Sequence, residues 1–504
     1  MEVVRDRLGI TDRILARDIK CISECNVIVP DVNPDILKIL HVDATCSILK
    51  KSLANGRLSF EGKIFADVIY LADCDDGGAK TLPAVFEFND IIDTAEIKDN
   101  MIVRLSCDID RLDINMINSR KISLKAICVV SAELYENKEI EYISSVNSSD
   151  AAYKCNDIKM YRIIANDESE LLVKEQHDMG ISSNFEILKC DAAIRDKEVR
   201  IAGSKVIVKG AVSVTVLYCD ENKAIRNTDA RYPFTEVFEV QGIEETDTID
   251  ASLSIIEKSA CKGISGTAEN YVNIEALVRA ELMVRREEQI CCVTDCYCFG
   301  AETNCKRDKI KAERMISLPV SVKSVREVIP EDAHMPSIGT VYNVIAKPRV
   351  VSTEKNESSV TINSILDVCV LYLSDNQEMP ICCRRAEVPL VHSFDLREPG
   401  ELMIGAECQQ ISYSLTGAGD VEIRAVVDFD VTNRIENNVN LISEIERGEK
   451  TGTNQIIIFF AKGGENLWDV AKEYKTDPSI LAELNCIDET IPIEKGKKLI
   501  IPAM

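Results

Sequence analysis

Three stretches decide the fold: GKIFADVIY (62–70), GAVSVTVLY (210–218) and SILDVCVLY (364–372). Each opens on a small residue and ends, eight positions later, on a tyrosine. Between the two ends apolar side chains alternate with others, the two-residue period of a strand with one buried face. Working outward, an alanine stands 26 residues before each tyrosine (Ala44, Ala192, Ala346), and Pro34 and Pro336 stand ten residues before two of those alanines. After each tyrosine comes a polar turn: DCDDGG (73–78), DENK (220–223) and SDNQ (374–377). A proline with a phenylalanine five residues on follows, as Pro83/Phe88, Pro233/Phe238 and Pro389/Phe394. A second alternating strand then recurs as KISLKAICVV (121–130), YVNIEALVRA (271–280) and VEIRAVVDFD (421–430).

Landmarks repeated three times in one order mean a triplication. The Asp, Asn and Gly of the turns suit hairpins. The fold class that follows is mainly β: three tandem antiparallel β-sandwich-like repeats, followed by a small α+β module. The divisions expected are 1–145, 155–300, 315–440 and 455–504, with the polar stretches 135–160, 286–315 and 431–455 as linkers or interdomain strands. Tandem repeats on short linkers serve as spacers or as arrays of binding faces. Asn33-Pro34 predicts a short helix over Pro34–Leu40. Tyr70, Tyr218 and Tyr372 are expected in the core, and the repeated glycines are read as conformational.

The 504 residues, 46% hydrophobic and 28% charged, describe a folded chain of several domains. A net charge of −25 with a pI near 4.8 argues against a nucleic-acid partner, whose phosphates need clustered Lys and Arg. Charges interrupt residues 1–30 too often for a signal peptide, and no run of eighteen apolar residues offers a membrane span. The chain is therefore expected to stay in the cytoplasm where it is made. In that setting its twenty cysteines read mostly as small core hydrophobes.

The cluster Cys291-Cys292-x3-Cys296-x-Cys298-x6-Cys305 lacks the paired CxxC elements of structural zinc sites. It reads as thiols in a linker strand, with a metal or a redox crosslink as alternatives. The four histidines, His41, His177, His334 and His392, form no helical pair and adjoin no nucleophile elbow. Neither GxxxxGK nor GxGxxG occurs. No enzyme and no cofactor is expected.

Residues 456–502 change character. A strand at 456–462 meets Gly463-Gly464, and Leu467, Val470, Ala471 and Tyr474 then mark one face of a helix capped by Asn466. Asp477-Pro478 opens a second helix that buries Ile480, Leu481 and Leu484, and Lys498–Pro502 forms a closing strand. The order is βααβ. Trp468, the only tryptophan, is expected to be partly buried, against the module's core or beside its loops.

This segment resembles the LysM family through Leu-Trp-x-Val-Ala-x-x-Tyr (467–474), Pro-x-x-Leu-x-x-Leu-Asn (478–485) and Gly-Lys-Lys-Leu-Ile-Ile-Pro (496–502). The resemblance implies binding of N-acetylglucosamine polymers such as peptidoglycan. It implies two binding loops, one with Gly464, Glu465, Asn466 and Leu467, the other with Asn485, Cys486, Ile487, Ile491 and Pro492. Many sugar-binding members carry Asp-Thr or Asp-Ser after the loop glycine, whereas this chain has Glu465-Asn466, so a protein ligand on the same face is also expected.

The rest of the chain, through VPDVNPDILKILHVDAT (29–45), the tyrosine-ended strands and the Pro-to-Phe spacing, resembles the SipL-like spore coat proteins of clostridia. These join SPOCS-type β-domains to one LysM module. The resemblance implies a non-enzymatic adaptor in spore coat and envelope assembly, placed in the mother cell at the forespore surface. Its LysM module would dock on the morphogenetic ATPase of the coat's basement layer or on other coat proteins. The alternative is a binder of cortex or cell-wall peptidoglycan.

Overall fold

The computed structural model describes residues 2–74, 78–180, 184–222, 224–263, 271–332, 334–356, 358–374, 376, 378–416, 419–451, 455–488 and 491–502. The first unit holds β1 (Glu2–Ile28), β2 (Asp35–Ala54), β3 (Arg57–Asp73), β4 (Ala79–Asp93), β5 (Ile102–Asn118) and β6 (Lys121–Asn147). Its antiparallel sheets, ordered β2-β3-β4 and β1-β6-β5, pack on a common core. The second unit repeats this with β7 (Ala151–Asp178), β8 (Phe185–Ala202), β9 (Lys205–Asp220), β10 (Ile225–Glu239), β11 (Thr248–Lys262) and β12 (Tyr271–Cys298).

The third unit has β13 (Ala301–Ser317), β14 (Ser321–Ile329), β15 (Thr340–Lys355), β16 (Ser359–Leu373), β17 (Ile381–Asp395), β18 (Glu401–Leu415) and β19 (Val421–Lys450). Here β13 and β14 replace one long strand, because Pro319 between them has no N–H to donate to β19.

The quoted stretches are the central strands β3, β9 and β16. Their alternate residues, ending in Tyr70, Tyr218 and Tyr372, fill the sandwich cores. The hydroxyls of Tyr70 and Tyr372 donate to the carbonyls of Pro34 (3.2 Å) and Pro336 (2.9 Å), which ties together two of the sequence landmarks. The expected helix over Pro34–Leu40 is instead the start of β2, paired with β3, whose alternating buried face overrides the local cap signal.

The Pro-to-Phe landmark does not superimpose. Pro83 lies opposite Asp67, three residues before its tyrosine, whereas Pro233 and Pro389 lie opposite Ala211 and Ile365, seven residues before theirs. The true spatial equivalents are the partners of the small residues. Phe88 faces Gly62, Phe234 faces Gly210 and Leu390 faces Ser364.

Gly62 and Gly210 are therefore needed for space, not for backbone conformation. A Cβ at Gly62 would lie 2.2 Å from Phe88 Cζ and 2.7 Å from the Ser47 carbonyl oxygen; at Gly210 it would lie 2.7 Å from Phe234 Cζ. In the third unit the facing residue shrinks to leucine, and Ser364 fits with its hydroxyl on the Leu390 carbonyl. Gly210→Ala is expected to cost about 1–3 kcal/mol by overpacking. Adding Phe234→Leu should return most of that loss in urea denaturation.

Of the two readings given for the polar stretches, linkers or interdomain strands, the described residues are mostly strands. Beyond the sandwiches β1 continues with β6, β7 with β12 and β13 with β19 as two-stranded ribbons. These bury one stripe each, including Ile10, Tyr142, Met160, Cys292, Ala312 and Leu441, in a core shared by all three units. A narrow ribbon with one buried stripe keeps charges on its other face, which explains the polar composition of 135–160 and its counterparts.

The units close on one another as a cluster of three, not a row. The residues just before the three tyrosines, Ile69, Leu217 and Leu371, are all fully buried and meet with Leu188, Tyr342 and Ile381. Beside them lies a polar layer built from equivalent positions: His41, Lys189 and Asn343 each precede their tyrosine by 29 residues. The Lys189 ammonium is wholly inaccessible, 2.7 Å from Asp43 of the first unit and bonded to Asp191. Tyr342 and Asn343 of the third unit donate to the other oxygen of Asp191 at 3.2 and 3.3 Å. Among the ribbons, Arg434 pairs with Glu313 and Glu401; Glu401 also takes Arg13 of the first unit, and Glu313 takes the Tyr161 hydroxyl of the second.

Candidate functional site

The carboxy-terminal module is β20 (Ile457–Phe460), α1 (Leu467–Glu473), α2 (Pro478–Asn485) and β21 (Lys498–Ile501), with the two strands antiparallel. Gly463 and Gly464, both at positive φ, turn the chain out of β20. The Glu465 carboxylate closes that turn by accepting from the N–H groups of Lys462 (2.8 Å) and Gly463 (3.2 Å). Asn466 caps α1 by accepting from Asp469 N–H at 2.8 Å, and Asp477 caps α2 through Ser479 N–H at 2.8 Å. Leu467, Val470, Ala471, Leu481, Leu499 and Ile501 form the core. Ile480 and Leu484, expected inside, are 50% and 48% exposed, because α2 turns only Leu481 and Ala482 inward.

The two expected loops do come together. Gly464 N–H donates to the Ile493 carbonyl (3.1 Å), and Ile493 N–H to the Glu465 carbonyl (2.8 Å). Most of their polar side chains, however, serve the module itself. Glu465 and Asn466 close the first turn, and Asn485 brackets Ile500 of β21, donating to its carbonyl (2.8 Å) and accepting from its N–H (2.6 Å). Leu467 is core and Ile487 packs beside it. Gly464, Asn466, Cys486, Ile491 and Pro492 remain as the exposed part of the face.

Sequence reasoning missed how the module is held. Trp468 is partly buried, as expected, against the cluster that joins the module's core to Ala152 and Tyr297, and there it meets the tip of the second unit's ribbon. Its ring lies edge-on to Tyr297 with centroids 5.0 Å apart, the Lys154 ammonium stands 4.7 Å over it, and its Nε1–H donates to Asp295 at 2.9 Å. Lys472 bonds both Asp295 oxygens at 2.6 and 2.7 Å, and the Tyr297 hydroxyl donates to the Thr476 carbonyl at 2.9 Å. Burial alone would raise the Asp295 carboxyl. Hydrogen bonds from Lys472 and Trp468, with the charges of Lys472 and Arg307, overcome that and hold it below the usual range.

The signal available was the lone tryptophan one residue off the buried stripe of α1. Nothing in the sequence named its partner 173 residues away. Asp295→Ala is expected to weaken the docking by about 1–3 kcal/mol through loss of charge-assisted bonds. The check is a red shift and a drop in polarisation of the single tryptophan's emission. Since Asp295 is held low, the latch should persist above the ordinary carboxylate pKa and loosen as pH falls through the lowered value.

Cys292 and Cys296 of the thiol cluster lie buried among the ribbons, and burial pushes them up to about 11 and about 12. No three metal-ligating side chains converge among the described residues. Ser321 Oγ lies 2.5 Å from His392 Nε2, but no carboxylate hydrogen-bonds that histidine among the described residues. A cleft of about 440 Å³ between the first two units is lined by Lys51, Glu168, Arg279 and Glu281, whose charges pair with one another. No described helix is long and apolar enough to cross a membrane.

The comparisons with known families agree with this geometry. The SipL, SPOCS domain family matches residues 35–117 and 185–262, which are β2 to β5 and β8 to β11, and the LysM domain family matches residues 462–502. The chain carries two SipL-type SPOCS segments and a carboxy-terminal LysM domain. In the third unit of this SPOCS–LysM protein, β15 to β18 repeat the strand order of the matched segments. No curated protein and no solved structure matches the chain. The SPOCS match makes the protein sporulation-associated, LysM modules generally bind peptidoglycan, and both families are binding or structural modules without catalysis.

Proposed function

We propose that this chain is a non-enzymatic adaptor of spore coat and envelope assembly, acting in the mother cell at the forespore surface. Its divisions in this reading are 1–145, 155–300, 315–440 and 455–504. The three β-units form a rigid platform, and the LysM module tethers that platform to a protein of the coat's basement layer, the morphogenetic ATPase first among the candidates. The binding face comprises Gly464, Asn466, Cys486, Ile491 and Pro492, with Glu465, Leu467, Asn485 and Ile487 shaping it from beneath.

One observation carries the preference for a protein ligand. A glycan is held by directed hydrogen bonds, yet Glu465, Asn466 and Asn485 already spend theirs inside the module. The module's surface also carries apolar side chains of the kind a protein interface covers, with Ile491 58%, Ile480 50% and Leu484 48% exposed. The second reading, peptidoglycan binding, rests on the LysM match itself. Co-purification of the full chain with the basement-layer ATPase, set beside sedimentation with purified peptidoglycan, separates the two. The adaptor reading expects ATPase capture that Ile491→Glu abolishes. Glycan sedimentation without ATPase capture would overturn it.

A further inference from the structure

In the third unit, the central strand β16 and its neighbour β17 bring two thiols together. Cys369 faces Arg385 in the register and Cys383 faces Leu371, so the two cysteines are diagonal neighbours on one side of the sheet. Their sulfurs lie 2.7 Å apart. A disulfide needs about 2.05 Å. The remaining gap is well under an ångström and falls within side-chain motion. We propose that Cys369 and Cys383 are a redox site: a dithiol that a small hydroperoxide converts into a disulfide stapling β16 to β17.

The surroundings set the roles of the two sulfurs. Cys383 is held down to about 6 by the Cys369 thiol donating to it, against the opposing effect of burial, with Arg385 and His41 adding positive charge. Cys369 moves the other way, raised by that same bond and by burial. Cys383 is thus the thiolate that attacks and Cys369 the thiol that resolves. In the first step the Cys383 sulfur takes the terminal oxygen of the hydroperoxide as the O–O bond breaks, giving a sulfenic acid and, with hydrogen peroxide, hydroxide. In the second step Cys369 attacks the Cys383 sulfur and expels its hydroxyl, which takes the Cys369 proton and leaves as water, while the hydroxide of the first step recovers the proton that Cys383 gave up on ionising. Two thiols lose two electrons and two protons, and the peroxide becomes two waters.

The other clustered thiols lack this pairing of contact with cation. Cys155 and Cys292 are raised to about 11, mainly by burial. The position also matters. Cys383 packs with Leu40 at the seam where the third unit meets the first, so the bond would fix the strand that closes the cluster.

The test uses the full reduced chain and hydrogen peroxide at one equivalent, quenched with N-ethylmaleimide. Non-reducing digestion with trypsin and a glutamate-specific protease cuts at Glu378, so the two peptides stay together only through the new bond. The expected result is a Cys369–Cys383 linked pair, two hydrogens lighter, that forms ahead of other cysteine oxidation and is reversed by dithiothreitol. Recovery of both cysteines as maleimide adducts, or of Cys383 as an unlinked sulfinic acid, would overturn the proposal. Cys369→Ser should leave Cys383 as a sulfenic acid captured by dimedone. Arg385→Gln should slow Cys383 oxidation at pH 7 by roughly tenfold or more through loss of thiolate. An unchanged rate would remove Arg385 from the assignment, and failure of dimedone capture would remove Cys383 as the attacking sulfur.

Discussion

Lys189→Met is expected to be among the most damaging single changes in the chain, lowering stability by about 3–5 kcal/mol in urea denaturation. That is the usual cost of removing one partner from a buried ion pair, because the remaining charge stays uncompensated. Two carboxylates on different units, Asp43 and Asp191, would lose the cation they share, leaving only the more distant His41 and Lys258, each 3.8 Å from its carboxylate. Introducing Asp43→Asn and Asp191→Asn together with Lys189→Met should recover much of the loss, since neutral amides remove the repulsion.

The pH dependence has a definite sign. Burial would raise Asp43, but His41 and Lys189 hold it well below the usual carboxylate range. Its contribution is present above about pH 4 and is lost as pH falls through the lowered value. Lys189 is disfavoured by burial yet raised by Asp191 and Asp43, so its contribution is lost only above the ordinary lysine range. The wild-type advantage over Lys189→Met should be flat between roughly pH 5 and pH 9 and shrink in acid.

The second large effect separates two leucine-like positions in the LysM module. Leu467→Asp should unfold the module, since Leu467 is 1% exposed and a lone carboxylate in so small a core has no partner. Ile480→Asp should leave it folded, because Ile480 is half exposed on α2. Tryptophan emission reports the first outcome, and proteolysis releasing residues beyond 450 confirms it while the β-units stay resistant. Equal sensitivity of both positions would contradict the packing of α2.

Much of the architecture was legible because strands with one buried face write an alternating code. GKIFADVIY and its counterparts are the central strands, and the βααβ order of the tail is as the glycine turn and the two caps imply. Less was legible where the code thins. The outer parts of β6, β12 and β19 bury a single stripe, so their charges left linker and interdomain strand as equal readings and hid that each continues a strand of 27 to 30 residues. Nor did local sequence reveal that Lys189 would meet Asp43, or Trp468 meet Asp295. Both depend on how separate units dock, and no periodicity records that. The loop residues illustrate the same limit: Glu465, Asn466 and Asn485 carry the right chemistry for a ligand and use it on their own backbone.

The closed arrangement of the three units has a consequence for valency. The third unit meets the first without any covalent join, through the same kinds of contact that link neighbours in the chain. A lone ancestral copy with such faces would have assembled as a homotrimer carrying identical appendages. Fusion into one polypeptide lets the positions differ: Asp295 and Tyr297 correspond, by strand register, to Ser145 and Asn147 in the first unit and to Glu444 and Glu446 in the third. A single cradle therefore exists where a symmetric trimer would offer three, and each particle presents one tether.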